Sequence, residues 1–254
     1  MKKLEDYQTI ENTIEMIGWD FSCLADKTKE EPLPWSYETL VKRRLKPAHR
    51  LLDMGTGGGE FLLSLRHPDH LITVTEGYAP NHDLCLKRLK PRGIDVVFCE
   101  GDGFLPLPDA TFDIVINRHE SYNLEEVYRI LKPGGFFITQ QVGSENNTPL
   151  IKALLGDLKK HAKPFTLSRE IERAEKAGFI VLDHNEAFPY QRYQDIEAVI
   201  FMAKIIQWEF PDFSVKRCCA ALTRIEAIIQ SEGYFGSKEH RFMFVARKQV
   251  CNHG

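Results

Sequence analysis

"LLDMGTGGGEF", residues 51–61, gathers four of the chain's 17 glycines into five positions just behind Asp53. A turn from a buried strand into a helix N-terminus needs residues that accept positive φ and let a ligand approach the backbone, and glycine does both. The spacing is Gly55-x-Gly57-x-Gly59, with Glu60 where the dinucleotide fingerprint G-x-G-x-x-G would place its last glycine. Alone, such a turn fits either a nucleotide-like ligand or a tight connection with no ligand.

Outward from the turn, short β-rich runs alternate with helical patterns. "RLLDM" (50–54), "LITVTE" (71–76), "DVVFCE" (95–100), "FDIVIN" (112–117) and "GFFITQQV" (135–142) are bounded by Gly, Pro, Asp or Asn and read as strands. Between them, "EFLLSLRH", "PNHDLCLKRLK" and "LEEVYRILK" carry apolar residues at helical spacing; Leu124, Val127, Tyr128 and Leu131 fall at i, i+3, i+4 and i+7. This alternation predicts a parallel sheet covered on both faces, with right-handed crossovers that bring every strand's carboxyl end to one edge, where such sheets bind ligands. The glycine turn sits on that edge. Beyond residue 148 the patterns predict helices over 149–161 and 167–179, a strand near 179–184, helices over 193–210 and 214–233, and a last strand at 240–248.

Length and composition limit what this sheet belongs to. The chain has 254 residues, 43% of them hydrophobic, enough for one large core. No run approaches the ~18 apolar residues of a membrane span, and the first 21 residues lack an apolar signal core, so the expectation is a soluble, cytoplasmic protein with no membrane partner. Six scattered cysteines form no C-x-x-C pair, which gives neither a zinc site nor a disulfide framework; no metal is expected. A formal net charge of −3 provides no global attraction to polyphosphate.

Carboxylates complete the constellation around the turn. Glu76 ends the second strand, 23 positions after Asp53, where it can accept from both hydroxyls of a ribose. Asp102, in "CEGDGFLPLPD", follows the third strand and is placed to accept from an exocyclic adenine amine. With these residues in order, the sequence resembles the class I S-adenosylmethionine-dependent methyltransferases of the small-molecule type (methyltransferase-11 group). "LLDMGTGGGEF" is similar to their first motif, "EGDGFLPLPDATFDIVI" to their adenine loop and fourth strand, and "EVYRILKPGGFF" to the helix and fifth strand that follow, over roughly residues 47–145.

The resemblance implies a doubly wound, seven-stranded, mostly parallel Rossmann-like sheet over 47–254. An N-terminal helical lid over 1–46 and a helical insertion at about 190–236, before the last strand, complete the expected organisation. It implies S-adenosylmethionine as cofactor. Asp53 with Gly55, Thr56, Gly57, Gly58 and Gly59 would hold the methionine part, Glu76 and Gly77 the ribose, and Asp102 and Gly103 the adenine. Asn117 would meet the methionine end, mainly through its backbone.

Methyl transfer from a sulfonium is an in-line displacement, so alignment can carry most of the catalysis and a base is needed only for a poorly ionised acceptor. "NRHES" places His119, and secondarily Glu120, at the methyl-transfer mouth; His119 is the candidate base, with packing or helix capping as its alternative role. Trp19, Trp35 and Tyr37 are lid candidates, joined by Phe21, Phe201, Met202 and Trp208, and as a group they favour a closed pocket for a small organic acceptor. An RNA methyltransferase is the rival enzyme reading. It is disfavoured because Asn117 is not followed by the Pro-Pro-aromatic run of the amino-directed branch and no cysteine sits at that strand end. A non-catalytic cofactor-binding sensor or scaffold is the alternative from another class, and a nicotinamide-dependent reductase is weakened by Glu60.

Overall fold

The computed structural model describes residues 2–16, 21–101, 103–156 and 164–250. The chain divides into two compact units, a sheet unit of Pro34–Val142, Phe165–Glu186 and Phe242–Gly254, and a helical unit of Met1–Leu33, Gly143–Pro164 and Ala187–Arg241.

The sheet has seven strands: β1 (Leu51–Met54), β2 (Ile72–Glu76), β3 (Asp95–Phe98), β4 (Phe112–Arg118), β5 (Leu131–Val142), β6 (Phe179–Ala187) and β7 (Arg241–Lys248). Their spatial order is β3-β2-β1-β4-β5-β7-β6. The four pairings from β3 to β5 are all parallel. Every residue of β1 and β2 is buried, which is why these strands read as apolar runs, whereas β6 alternates between covered and open positions. Side-chain parity sorts the core onto two faces. Leu52, Val115, Phe137 and Phe244 belong to one cluster, and their neighbours Leu51, Ile114, Ile138 and Met243 to the other.

Short helices Glu60–Ser64, Ala79–Arg88 and Leu124–Ile130 connect the first strands. Asn123 caps the last of these, its side-chain oxygen accepting from the N–H groups of Glu125 and Glu126. The "LKPGG" stretch, expected as a helix end and turn, already belongs to β5. It bulges away from β4, the pairing stepping from Phe112↔Leu131 to Ile114↔Phe136. Gly134 takes φ +80°, and a Cβ on Gly135 would lie 2.9 Å from the Lys132 carbonyl oxygen.

The predicted organisation of the first 46 residues differs from the observed one. Helix Leu4–Thr13 belongs to the helical unit, while helix Tyr37–Lys42 belongs to the sheet unit, because its Tyr37, Leu40 and Val41 are buried in the cluster that holds Leu51 and Ile72. The helical unit packs Leu4–Thr13, Thr148–Leu155, Ile196–Ile205 and Val215–Glu232 around Tyr7, Leu150, Ile200, Phe210 and Leu222. In it the buried Glu226 accepts from the Tyr7 hydroxyl and the Lys2 ammonium, both at 2.8 Å. Three short strands, Thr28–Glu30, Tyr190–Tyr193 and Phe235–Lys238, form a separate antiparallel sheet. They are polar and only three or four residues long, too short for a hydrophobic period to show in the sequence. Among the described residues, no helix is long and apolar enough to cross a membrane.

Candidate active site

The carboxyl ends of β1, β2 and β4 meet where the strand order reverses, the position at which doubly wound sheets form a ligand crevice. After Met54 the chain turns through Gly55 (φ +64°), Gly57 (φ +60°) and Gly59 (φ +77°), a left-handed series that only glycine adopts without strain. Gly55 and Thr56 donate their N–H groups to the Thr75 carbonyl, at 3.0 and 3.3 Å, tying the turn to β2. Three further contacts pin it from outside: Cys85 Sγ donates to the Gly57 carbonyl (3.0 Å), Arg88 to the Gly58 carbonyl (2.9 Å), and the Leu89 side chain lies against Gly59. Gly57 stands apart, since a Cβ there would meet nothing within 4 Å.

Two carboxyl groups flank the turn. Asp53 is buried and accepts from Thr56 Oγ1 at 2.7 Å. Burial pushes its carboxyl up from 3.8 to about 7, against the pull of the Thr56 hydrogen bond and the Arg118 guanidinium. Glu76 is buried too, its two oxygens accepting from the Gly57 N–H at 2.9 Å and the Tyr78 N–H at 3.2 Å. An ionised carboxylate offers about four acceptor sites, so this latch on the turn leaves capacity for a ligand hydroxyl. Gly77 brings the β2 and β3 loops together; a Cβ on it would sit 2.5 Å from the Cys99 carbonyl oxygen.

At the end of β4 the arrangement is made of side chains. Asn117 is fully buried, and its Oδ1 accepts from Gln141 Nε2 (2.6 Å) and Thr139 Oγ1 (3.3 Å), which turns Nδ2 to a place with no partner among the described residues. Its backbone, expected to face the methionine end, is instead engaged by Tyr37. That hydroxyl accepts the Asn117 N–H (3.0 Å) and reaches the carbonyls of Asn117 (3.0 Å) and Ile138 (3.2 Å). Tyr37, expected in a lid, is thus a buried strut between β4 and β5, packed on Phe61. Trp35, also a lid candidate, is half-buried and donates its indole N–H to Gln140 Oε1 at 2.8 Å. His119 is exposed, takes φ +65°, and faces Gln140 Nε2 through its own Nε2 at 3.2 Å. Arg118 lies over the Phe61 ring at 4.9 Å. Glu120 lies against Gly55, where an added Cβ would come within 2.5 Å of its Cγ.

On the β3 side, Tyr78, Phe98 and Phe104 are exposed aromatics, and Gly103 is exposed beside them in the chain. Arg129 steadies this loop by donating to the carbonyls of Leu105 and Leu107. Asp102 and Trp19, expected at the adenine and in the lid, lie outside the described residues. Phe21 and Phe201 meet edge-on in the helical unit, where Met202 also packs, and Trp208 is exposed there. Two cavities of about 370 and 230 Å³ open near the first residues of β2, β3 and β4 and touch none of the candidate site residues.

Gln140, Gln141 and Cys85 are not singled out by the sequence, and Tyr37 is singled out only as a lid residue. The signal that could have found the glutamines is their place on β5 in register with the end of β4, Arg118 opposite Gln140 and Asn117 opposite Thr139.

Residues 52–139 match the family described as "Methyltransferase domain". Over these residues the chain carries a methyltransferase domain. A fatty-acid O-methyltransferase of Mycolicibacterium smegmatis is 29% identical over 149 residues, 53% of this chain and 54% of that protein, so the chain spans about half the length of this curated relative. Two solved structures share the fold of the methyltransferase domain. The YcgJ protein from Bacillus subtilis has TM-score 0.59 at 16% identity, over 84% of this chain and 98% of the other. Phosphoethanolamine N-methyltransferase 2 of Haemonchus contortus, solved with phosphomonomethylethanolamine and S-adenosylhomocysteine, has TM-score 0.51 at 15% identity, over 97% of this chain and 57% of the other. At these identities the likeness is one of fold.

The residues of the methyltransferase domain suit the cofactor of its family. Gly57 leaves its Cβ side open, the two buried carboxyl groups would suit a ligand whose sulfonium and ammonium are cationic, and the exposed aromatics after β2 and β3 would offer stacking faces for a base.

Proposed function

We propose that the protein is an S-adenosylmethionine-dependent methyltransferase acting on a small organic acceptor. The observation that carries the reading is the left-handed glycine turn at the end of β1 with the Asp53 and Glu76 carboxyls on either side of it. In this reading Asp53, in its ionised form, balances the methionine ammonium, the 55–59 backbone receives the methionine part, and Glu76 with Gly77 takes the ribose. Asp102 and Gly103 take the adenine. Asn117 contributes its side-chain amide rather than its backbone, since Tyr37 already engages the latter.

When bound, the cofactor supplies an electrophilic methyl with a neutral thioether as leaving group. The protein's share is alignment: the β4 end sets the approach of the acceptor, and the turn fixes the cofactor's sulfur. The relative that methylates fatty acids suggests a carboxylate as the first acceptor to try. Calorimetry is expected to show binding of S-adenosylmethionine and its demethylated product, and none of NADH. Tight NADH binding with no response to the demethylated product would end the reading. Binding without transfer to a panel of fatty acids, amines and RNA would favour a sensor.

A further inference from the structure

Asn81, in the sheet unit, is only 2% exposed, and its Nδ2 has no hydrogen-bond partner among the described residues. A buried amide donor left unpaired works against the fold, so it points to a group that the protein alone does not supply. Where the side chain lies follows from its helix. Asn81, Cys85 and Leu89 stand four residues apart, on helix Ala79–Arg88 and its C-cap, and so share one face. Leu89 lies against Gly59, and Cys85 donates to the Gly57 carbonyl at 3.0 Å, so this face follows the glycine turn. Asn81 continues the stripe one turn nearer the carboxyl edge. The helix starts after Tyr78, whose N–H donates to Glu76 Oε1, while Glu76 Oε2 holds the Gly57 N–H. The stripe therefore brings the Asn81 amide to the side of the turn where Glu76 stands and where Gly57 leaves open space.

We infer that Asn81 is a further binding residue on the nucleoside side of the site, its Nδ2 donating to a ribose hydroxyl whose own proton goes to Glu76. The inference rests on the methyltransferase reading and deepens it. A hydroxyl both donates and accepts, and an ionised carboxylate can satisfy only its proton. The lone pairs of the same oxygen need an N–H, which the Asn81 amide has to spare. Glu76 and Asn81 together thus match a hydroxyl and nothing simpler. A site built in this way turns away an analogue that lacks the hydroxyl, because both protein groups are then buried without their partner. The ligand class is a ribonucleoside with free hydroxyls, and a deoxyribonucleoside is the analogue excluded.

The test is calorimetry of the wild type and Asn81→Leu with S-adenosylhomocysteine and with its 2′-deoxy and 3′-deoxy forms. Leucine is close to the amide in size, suits a helix and leaves no donor unpaired. The variant is expected to bind S-adenosylhomocysteine about tenfold more weakly, the worth of one hydrogen bond. It should bind one of the two deoxy forms as well as the wild type does, since the hydroxyl that Asn81 serves is already missing from that ligand. Without ligand it should melt no lower than the wild type. A loss equal for all three ligands makes Asn81 a packing residue and overturns the inference, and so does no loss for any. Asn81→Ala, which also lacks the donor, carries the same comparison should the leucine variant not fold. A wild type that binds none of the three ends the methyltransferase reading and the inference with it; binding in the wild type with an unselective loss in the variant sinks the inference alone.

Discussion

The two halves of the carboxyl edge are built in opposite ways. Around the glycine turn the candidate groups are the backbone of the turn and two carboxyls, all within residues 53–78, and the turn's own left-handed path arranges them. At the β4 end the candidate groups, Asn117, His119 and Glu120, are consecutive or nearly so, yet what orients them comes from Trp35 and Tyr37 far upstream and from Gln140 and Gln141 on β5. A site made of backbone ties binding to folding. One made of side chains lets its supports be changed while the fold stands. Each half should therefore fail in its own way.

The largest effect expected is on the turn side, at Asp53. Its carboxyl holds its proton to about 7 in the fold, whereas the unfolded chain releases it near 3.8. A raised carboxyl works against stability: the fold is steadiest below the lower value, loses stability as pH climbs from about 4 to 7, and changes little above. Linkage limits the loss to about 4 kcal/mol. A cationic cofactor runs the opposite way, since it favours the ionised form, and its affinity should climb towards pH 7 and then level off. Asp53→Asn should flatten both curves and be the more stable apoprotein at pH 8. Urea unfolding and calorimetry at pH 5, 6, 7 and 8 check this, and equal pH slopes in the two proteins would remove Asp53 as the source.

Two glycines sharpen the contrast within the turn. Gly55→Ala combines a left-handed alanine, about 1–2 kcal/mol, with a Cβ forced onto Glu120, about 1–3 kcal/mol, and should unfold at visibly lower urea. Gly57→Ala has the same backbone penalty but open space, so its stability loss should be the smaller. If a ligand lies along the turn, Gly57→Ala should instead be the variant whose cofactor affinity falls further than its stability; affinity unchanged in it would place the ligand elsewhere.

Glu76→Ala comes next, with cofactor binding weaker by about 1.5–3 kcal/mol, the range for hydrogen bonds to a charged group. Because Glu76 also latches the Gly57 and Tyr78 N–H groups, the melting temperature should fall as well, and Glu76→Gln should recover part of both losses. Weaker binding with an unchanged melting temperature would show that the latch contributes nothing.

What was legible in the sequence follows the same division. The apolar runs of β1, β2 and β4 mark strands because they are buried on both faces, and the glycine spacing marks the turn because positive φ selects that residue. The Tyr37 strut and the Gln140 and Gln141 contacts left no such mark. A tyrosine two residues after a tryptophan, and two glutamines ending a strand, acquire their roles only when parallel pairing brings β5 beside β4 and helix Tyr37–Lys42 packs on the same core. The short polar strands of the helical unit escaped for a different reason, having too few residues to carry a period.

The smallest effect separates a donor from a base at the β4 end. With a carboxylate acceptor, His119→Leu should lower turnover about tenfold, the worth of one hydrogen bond at roughly 1.4 kcal/mol. His119→Asn, which keeps a side-chain N–H donor and suits the left-handed backbone, should recover most of that loss. A general base would behave otherwise: an amide cannot take a proton, so both variants would lose roughly 10²–10⁴-fold, and the acidic limb of the pH–rate profile would vanish in both. Leucine at φ +65° is strained, so thermal melting must first show each variant folded at the assay temperature. Rescue by asparagine with an unaltered acidic limb leaves the β4 end as a frame for an acceptor that needs no deprotonation; equal losses in both variants would make it a proton-transfer site and break the contrast with the turn.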